Sequence, residues 1–190
     1  MLLAAVLWLS VNGAAPQTAP ALSVDEVMRG YNRALGVECV FCHVQDDWRN
    51  DSRPPLATAR RMTDMVRALN DGPLNGIGAV SCVTCHGGQS RPSRLPVPLL
   101  TEESAKWPPS LADRADLMLA MSVYNVTLGV GCDHCHDPSD WKSGAKAAFK
   151  TAVRMGAMFD LFPKYMPASA RTQCWMCHKG GRKPQRGPEH

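Results

Sequence analysis

The pentad Cys-x-x-Cys-His occurs four times: CVFCH from Cys39, CVTCH from Cys82, CDHCH from Cys132 and CWMCH from Cys174. Two thiols separated by two residues and followed directly by an imidazole form the pattern that attaches a porphyrin covalently and gives its iron a proximal ligand. All 8 cysteines fall in these units, so none remains for a disulfide framework. A lone Cys-x-x-Cys also suits a zinc knuckle or a redox dithiol, but neither needs a histidine after the second cysteine every time. The expectation is four covalently bound haem c groups (iron). The thiols are Cys39, Cys42, Cys82, Cys85, Cys132, Cys135, Cys174 and Cys177; the proximal ligands are His43, His86, His136 and His178. Roughly forty residues per haem bury little apolar surface on their own, so the haems are expected to form much of the core.

The chain also repeats itself. MRGYNRALGVECVFCH from Met28 aligns with MSVYNVTLGVGCDHCH from Met121 at an offset of 93. Trp48 and Trp141 keep that offset, as do Arg61 and Arg154, while the last pentad falls at 92. Internal repeats of this kind set the architecture, and the reading is a tandem duplication of a two-helix, two-haem unit. A signal-like segment covers 1–20, the first unit 21–88, a linker with five prolines 89–110, the second unit 111–181 and a basic tail 182–190. Proline-rich composition marks the linker.

The expected class is all-α, a multihaem c-type cytochrome with little regular sheet. Ser23 and Glu26 make a capping-box pattern, apolar residues then follow helical spacing, and Gly36 suits the stop. A second helix is expected after Pro54-Pro55, ending at Asn70-Asp71-Gly72. A third starts near Ser110 and Asp113 and runs toward Leu128-Gly129. A fourth covers roughly 145–162 and is stopped by Pro163.

The residue opposite each proximal histidine decides the chemistry. The chain has 6 histidines; four are proximal, His190 is terminal, and His134 lies inside its own pentad where it reaches that haem poorly. Ligation by two histidines at every site is therefore excluded within one chain. Methionine is the other common distal ligand and raises the potential. There are 10, and Met28 and Met121 each stand 11 residues before a pentad. Met62 and Met65 precede Cys82 as Met155 and Met158 precede Cys174, and one of each pair is expected to ligate. Spacing does not separate Met62 from Met65 or Met155 from Met158. Met118 and Met166 have no repeat counterpart and read as packing, the ordinary role of methionine on an apolar helix face. Met176 sits inside a pentad and is not expected to reach back.

The stretches ARRMTDMVRALN (Ala59 to Asn70), VSCVTCHGG and LGVECVFCH resemble the tetrahaem cytochrome subunit of photosynthetic reaction centres and its non-photosynthetic relatives. The resemblance covers most of 24–88 and 111–181. It implies that the methionine directly after the Arg-Arg pair, Met62, is a distal ligand, with Met155 its counterpart through the repeat. It also matches Met28 and Met121 to the family's methionines at the first type of site. Reaction-centre members hold their last haem with a histidine from the segment before the second pentad, and here that segment, DGPLNGIGAVS, has none. Those members also lack a methionine matching Met155. The two departures compensate, so four His/Met haems are expected: His43/Met28, His86/Met62, His136/Met121 and His178/Met155. The linker and N-terminal extension are short and the family's lipid-anchor cysteine has no counterpart near residue 20, which sets this chain apart from the reaction-centre members.

The apolar run from Met1 to Leu9, followed by small residues and prolines, resembles a secretory signal without its leading positive charge. It is too short to span a bilayer, which takes about 20 residues. A periplasmic or extracellular location is expected. Formal charge is +4 before cofactors, and haem propionates would offset it. Basic residues are scattered, so nucleic acid is not an expected partner. Other redox proteins are, whether soluble, part of a membrane complex or further copies of this chain. Six-coordinate iron at every site favours single-electron relay, including donation to a photosynthetic complex or a haem chain between molecules. The rival class is a redox enzyme, a peroxidase or small-oxyanion reductase, which needs one iron with an open position.

Overall fold

The computed structural model describes residues 22–94, 114–167, 170 and 173–184. The signal-like segment, most of the expected linker, the proposed start at Ser110 and Asp113, and the end of the basic tail lie outside them. Helix α1 spans Val24–Leu35. Its start follows the sequence pattern: Ser23 Oγ accepts the Glu26 N–H at 3.3 Å, and the Glu26 carboxylate accepts the Ser23 N–H at 2.7 Å. Gly36 ends it in the left-handed region at φ 62, where an L side chain would be strained. The first pentad forms the single turn α2, Cys39–Cys42. Helix α3, Pro54–Asp71, carries its prolines in the first turn, where no backbone N–H is needed, and Gly72 closes it. The second pentad is α4, Cys82–His86.

Helix α5, Arg114–Leu128, leads to the third pentad, whose Cys132–His134 form a tighter 3-10 turn. Beyond it lie α6, Ala147–Gly156, a 3-10 turn at Ala157–Asp160, α7, Phe162–Tyr165, and the fourth pentad in α8, Trp175–His178. No strand occurs among the described residues; Val44 with Asp47 and Asp137 with Asp140 make isolated bridges. The class is all-α.

One expectation is corrected. The continuous helix over 145–162 ending at Pro163 is instead α6, a 3-10 turn and α7. Pro163 cannot continue an α-helix that includes the preceding turn, because it has no N–H and its ring meets the earlier carbonyl. The chain tightens after buried Gly156 and restarts, with Pro163 in the first turn of α7 rather than beyond a helix end.

The same tertiary contacts occur twice. Gly36 meets the backbone after the second pentad: a Cβ added there would stand 2.1 Å from the Gly88 carbonyl oxygen. At Gly129 it would stand 2.3 Å from the Gly180 carbonyl oxygen. The Gly88 N–H donates to Ala34 O at 3.0 Å and the Gly180 N–H to Thr127 O at 2.8 Å. Thus α1 docks on α4 and α5 docks on α8, and α4 also packs against α8. Met65, Leu69 and Leu74 form a small core bordered by Met62, Val80, Met155, Met158, Leu161, Phe162, Tyr165 and Met166. Alongside it α3 packs on α7, and Tyr31 ties α1 to α3 through its hydroxyl contact with Thr63 Oγ1 at 2.9 Å.

Gly36→Ala meets both the positive φ and the Gly88 carbonyl, and is expected to destabilise by about 2 kcal/mol or more. Gly30→Ala is the control: nothing lies within 4 Å of its Cβ position, and the repeat places Val123 there. It is expected to stabilise by up to ~1 kcal/mol. Guanidinium unfolding followed by circular dichroism reads both; equal effects would contradict the docking contact.

Candidate haem-attachment sites

Each pentad places its two thiols three residues apart on one turn, so they share a side, and the chain then turns so that the histidine follows. The His43, His136 and His178 N–H groups each donate to the first cysteine's carbonyl at 3.0 Å. All eight cysteines are free thiols. Three of the imidazoles are anchored through Nδ1. His86 Nδ1 donates to Gln89 O at 2.9 Å, His136 Nδ1 to Trp141 O at 3.0 Å and His178 Nδ1 to Gly181 O at 3.0 Å. A carbonyl only accepts, so Nδ1 carries the proton and Nε2 is left with the lone pair that binds a metal. His43 is the exception, with a buried Nδ1 that has no partner among the described residues. Trp48 packs edge-on against its ring at 5.9 Å.

Burial pushes the His86 and His178 imidazoles below their ordinary range, which keeps them neutral and able to donate a lone pair. Burial raises the Cys42, Cys82 and Cys135 thiols, and pushes Cys174 up to about 11. At the contact of α4 with α8, the hydrogen bond between Cys85 and Cys177 holds Cys85 low and drives Cys177 up. Among the described residues no three Cys, His, Asp or Glu side chains converge as an ion cage. Paired thiols with one anchored imidazole fit covalent haem rather than zinc.

Two asparagines recur at the sites. Asn32 Nδ2 donates to Cys39 Sγ and Asn125 Nδ2 to Cys132 Sγ, both at 3.2 Å. The repeated Tyr-Asn pair in the sequence was the signal for them. The four methionines of the expected ligand set lie on the expected helices. Met28 is 37% exposed on α1, and Met121 is half-buried on α5. Met62 and Met155 are half-buried at the edge of the small core, whereas Met65, 8% exposed, is inside it. Met158 borders the same core from the 3-10 turn. Met166 packs there as expected. Met118 does not pack: it is 56% exposed, because it lies on the outer face of α5 as the described residues are arranged.

The segment before the second pentad is held by contacts that sequence alone did not reveal. Asn70, on the last turn of α3, donates to Val80 O at 2.9 Å and accepts the Val80 N–H at 2.8 Å. Arg154, directly before Met155, donates to the Asn75 and Pro73 carbonyls. Its repeat counterpart Arg61 donates to Thr58 Oγ1, and Arg60 pairs with Asp51 at the surface.

Helices that serve mainly to present cysteine pairs and anchored histidines define a c-type cytochrome. Residues 27–107 match the family of the photosynthetic reaction centre cytochrome c subunit. The photosynthetic reaction center cytochrome c subunit of Thermochromatium tepidum is 22% identical over 219 residues, covering 80% of this chain and 54% of that protein. The subunit of the same name from Roseobacter denitrificans is 36% identical over 79 residues, 36% of this chain and 21% of that protein. The chain spans about half the length, or less, of these curated relatives.

Asn70→Ala removes two partners from the part-buried Val80 backbone and is expected to cost about 2 kcal/mol. A thermal melt of the haem-loaded protein measures it, and an unchanged melting temperature would contradict the clamp.

Proposed function

We propose that the protein binds four haems c and relays single electrons between exported redox partners. His43 with Met28, His86 with Met62, His136 with Met121 and His178 with Met155 are the axial pairs. The units are 21–88 and 111–181, joined by the proline-rich 89–110. Bound iron with histidine and methionine supplies reversible one-electron chemistry at raised potential. The chain supplies placement. The observation that carries the reading is the succession of contacts: α1 on α4, α4 on α8, α8 on α5. They seat α1, which precedes the Cys39 pentad, on the Cys82 pentad, and α5, which precedes the Cys132 pentad, on the Cys174 pentad, and this supports a spatial order of Cys39, Cys82, Cys174 and Cys132. Cys85 and Cys177 meet at the middle of that succession.

Burial supports Met62 over Met65, since Met65 is enclosed by Leu69 and Leu74. Met155 is its match on α6. A methionine for every pentad leaves no site that calls for an open iron, which supports the relay over a peroxidase or reductase. Among the described residues no helix is long and apolar enough to cross a membrane. The relatives are by name photosynthetic reaction-centre subunits, so donation to a membrane photosynthetic complex is one form of the relay. Passage along further copies of the chain is another. The signal-like start supports a periplasmic or extracellular location.

Met62→Ala and Met155→Ala are each expected to turn one haem high-spin and lower its potential, read by magnetic resonance and spectroelectrochemical titration. Unchanged spectra would transfer ligation to Met65 or Met158. Wild-type potentials clustered far negative would overturn methionine ligation.

A further inference from the structure

The second and fourth pentads end in the same backbone shape with different residues. Gly87 follows His86 at φ 57, and Lys179 follows His178 at φ 48. Each caps its short helix, donating its N–H to Val83 O and to Trp175 O respectively. Left-handed backbone costs an L residue roughly 1–2 kcal/mol and glycine almost nothing. Of the described residues other than glycine, Asp46 alone shares the positive sign, and aspartate tolerates it through local hydrogen bonding. Lysine has no such compensation. For the fold alone, glycine would be the better residue at 179.

The lysine side chain is what position 179 gains. A Cβ added at Gly87 would stand 2.7 Å from Lys179 Nζ. The ammonium therefore rests against the end of α4, in space that only glycine at 87 leaves open. It lies at the junction of α4, which carries Cys85, with α8, which carries Cys177. Among the described residues no carboxylate pairs with it. Strained backbone persists where something else over-determines it, and such positions gather at functional sites.

We propose that Lys179 is a positioning residue of electrostatic kind: a fixed positive charge shared by the second and fourth attachment sites that raises the potential of both above what their ligands alone give. The inference rests on the four-haem reading above. A cation beside a group that gains an electron favours the reduced state, and partial burial weakens solvent screening. The device acts on the two sites at the middle of the succession and leaves the two outer ones untouched. It also breaks the repeat where the offset slips from 93 to 92.

The test uses the full haem-loaded protein with Lys179→Met, Lys179→Gly and Lys179→Arg, each assayed by intact mass for haem content, by melting temperature and by spectroelectrochemical titration. Lys179→Met is expected to raise the oxidised-to-reduced ratio of two haem components about tenfold at fixed potential, ~59 mV for one electron, with the other two unmoved. Lys179→Arg keeps the wild-type titration. Lys179→Gly shows the same loss of potential as Lys179→Met but melts at a higher temperature, which separates charge from structure. Full haem content with unmoved potentials in Lys179→Met overturns this proposal alone. Haem missing from the second or fourth pentad in the wild type overturns the four-haem reading and this proposal with it.

Discussion

Backbone against backbone at two glycines is the contact on which the arrangement depends. With Gly36 at φ 62, α1 stops, the chain reverses, and its Cα comes close enough to the Gly88 carbonyl that no side chain fits. Ala34 O then receives the Gly88 N–H. Gly129 and Gly180 repeat this with Thr127, the most buried polar residue among those described. Each contact seats the helix before an odd pentad on the turn after an even one. Only backbones can approach this closely. The packing of α4 on α8 then joins the two pairs.

Much of this was legible in the sequence because it rests on local chemistry. The Ser23 and Glu26 cap, the Gly36 stop, the prolines opening α3 and the pentads themselves are decided within a few residues. The repeat carried the equivalence of Met28 with Met121 and of Trp48 with Trp141. What was not legible depends on distant partners. The break after Gly156 falls where Met155, Met158, Leu161 and Phe162 meet the small core around Met65 and Leu69. The Asn70 clamp reads in sequence as an ordinary helix end. The exposed face under Met118 depends on where neighbouring elements fall. Spacing did not separate Met62 from Met65, since both lie within one turn of the same apolar face.

The two kinds of site differ in how they are supported. At the first and third, an asparagine amide reaches the leading sulfur and a tryptophan lies beside the histidine. At the second and fourth, the imidazole is held by the carbonyl of a following glycine-rich turn. The segment before Cys82 is tied down by Asn70 and Arg154. Arg154, the residue before Met155, joins that segment to α6.

Locating the irons is the most direct test, by anomalous diffraction at the iron edge from crystals of the haem-loaded protein. The expected result is four iron peaks per chain, assigned in space as the pentads of Cys39, Cys82, Cys174 and Cys132, with the second and third of these neighbours. Fewer than four peaks, or irons at Cys82 and Cys174 held apart by another site, would contradict the arrangement and with it the relay.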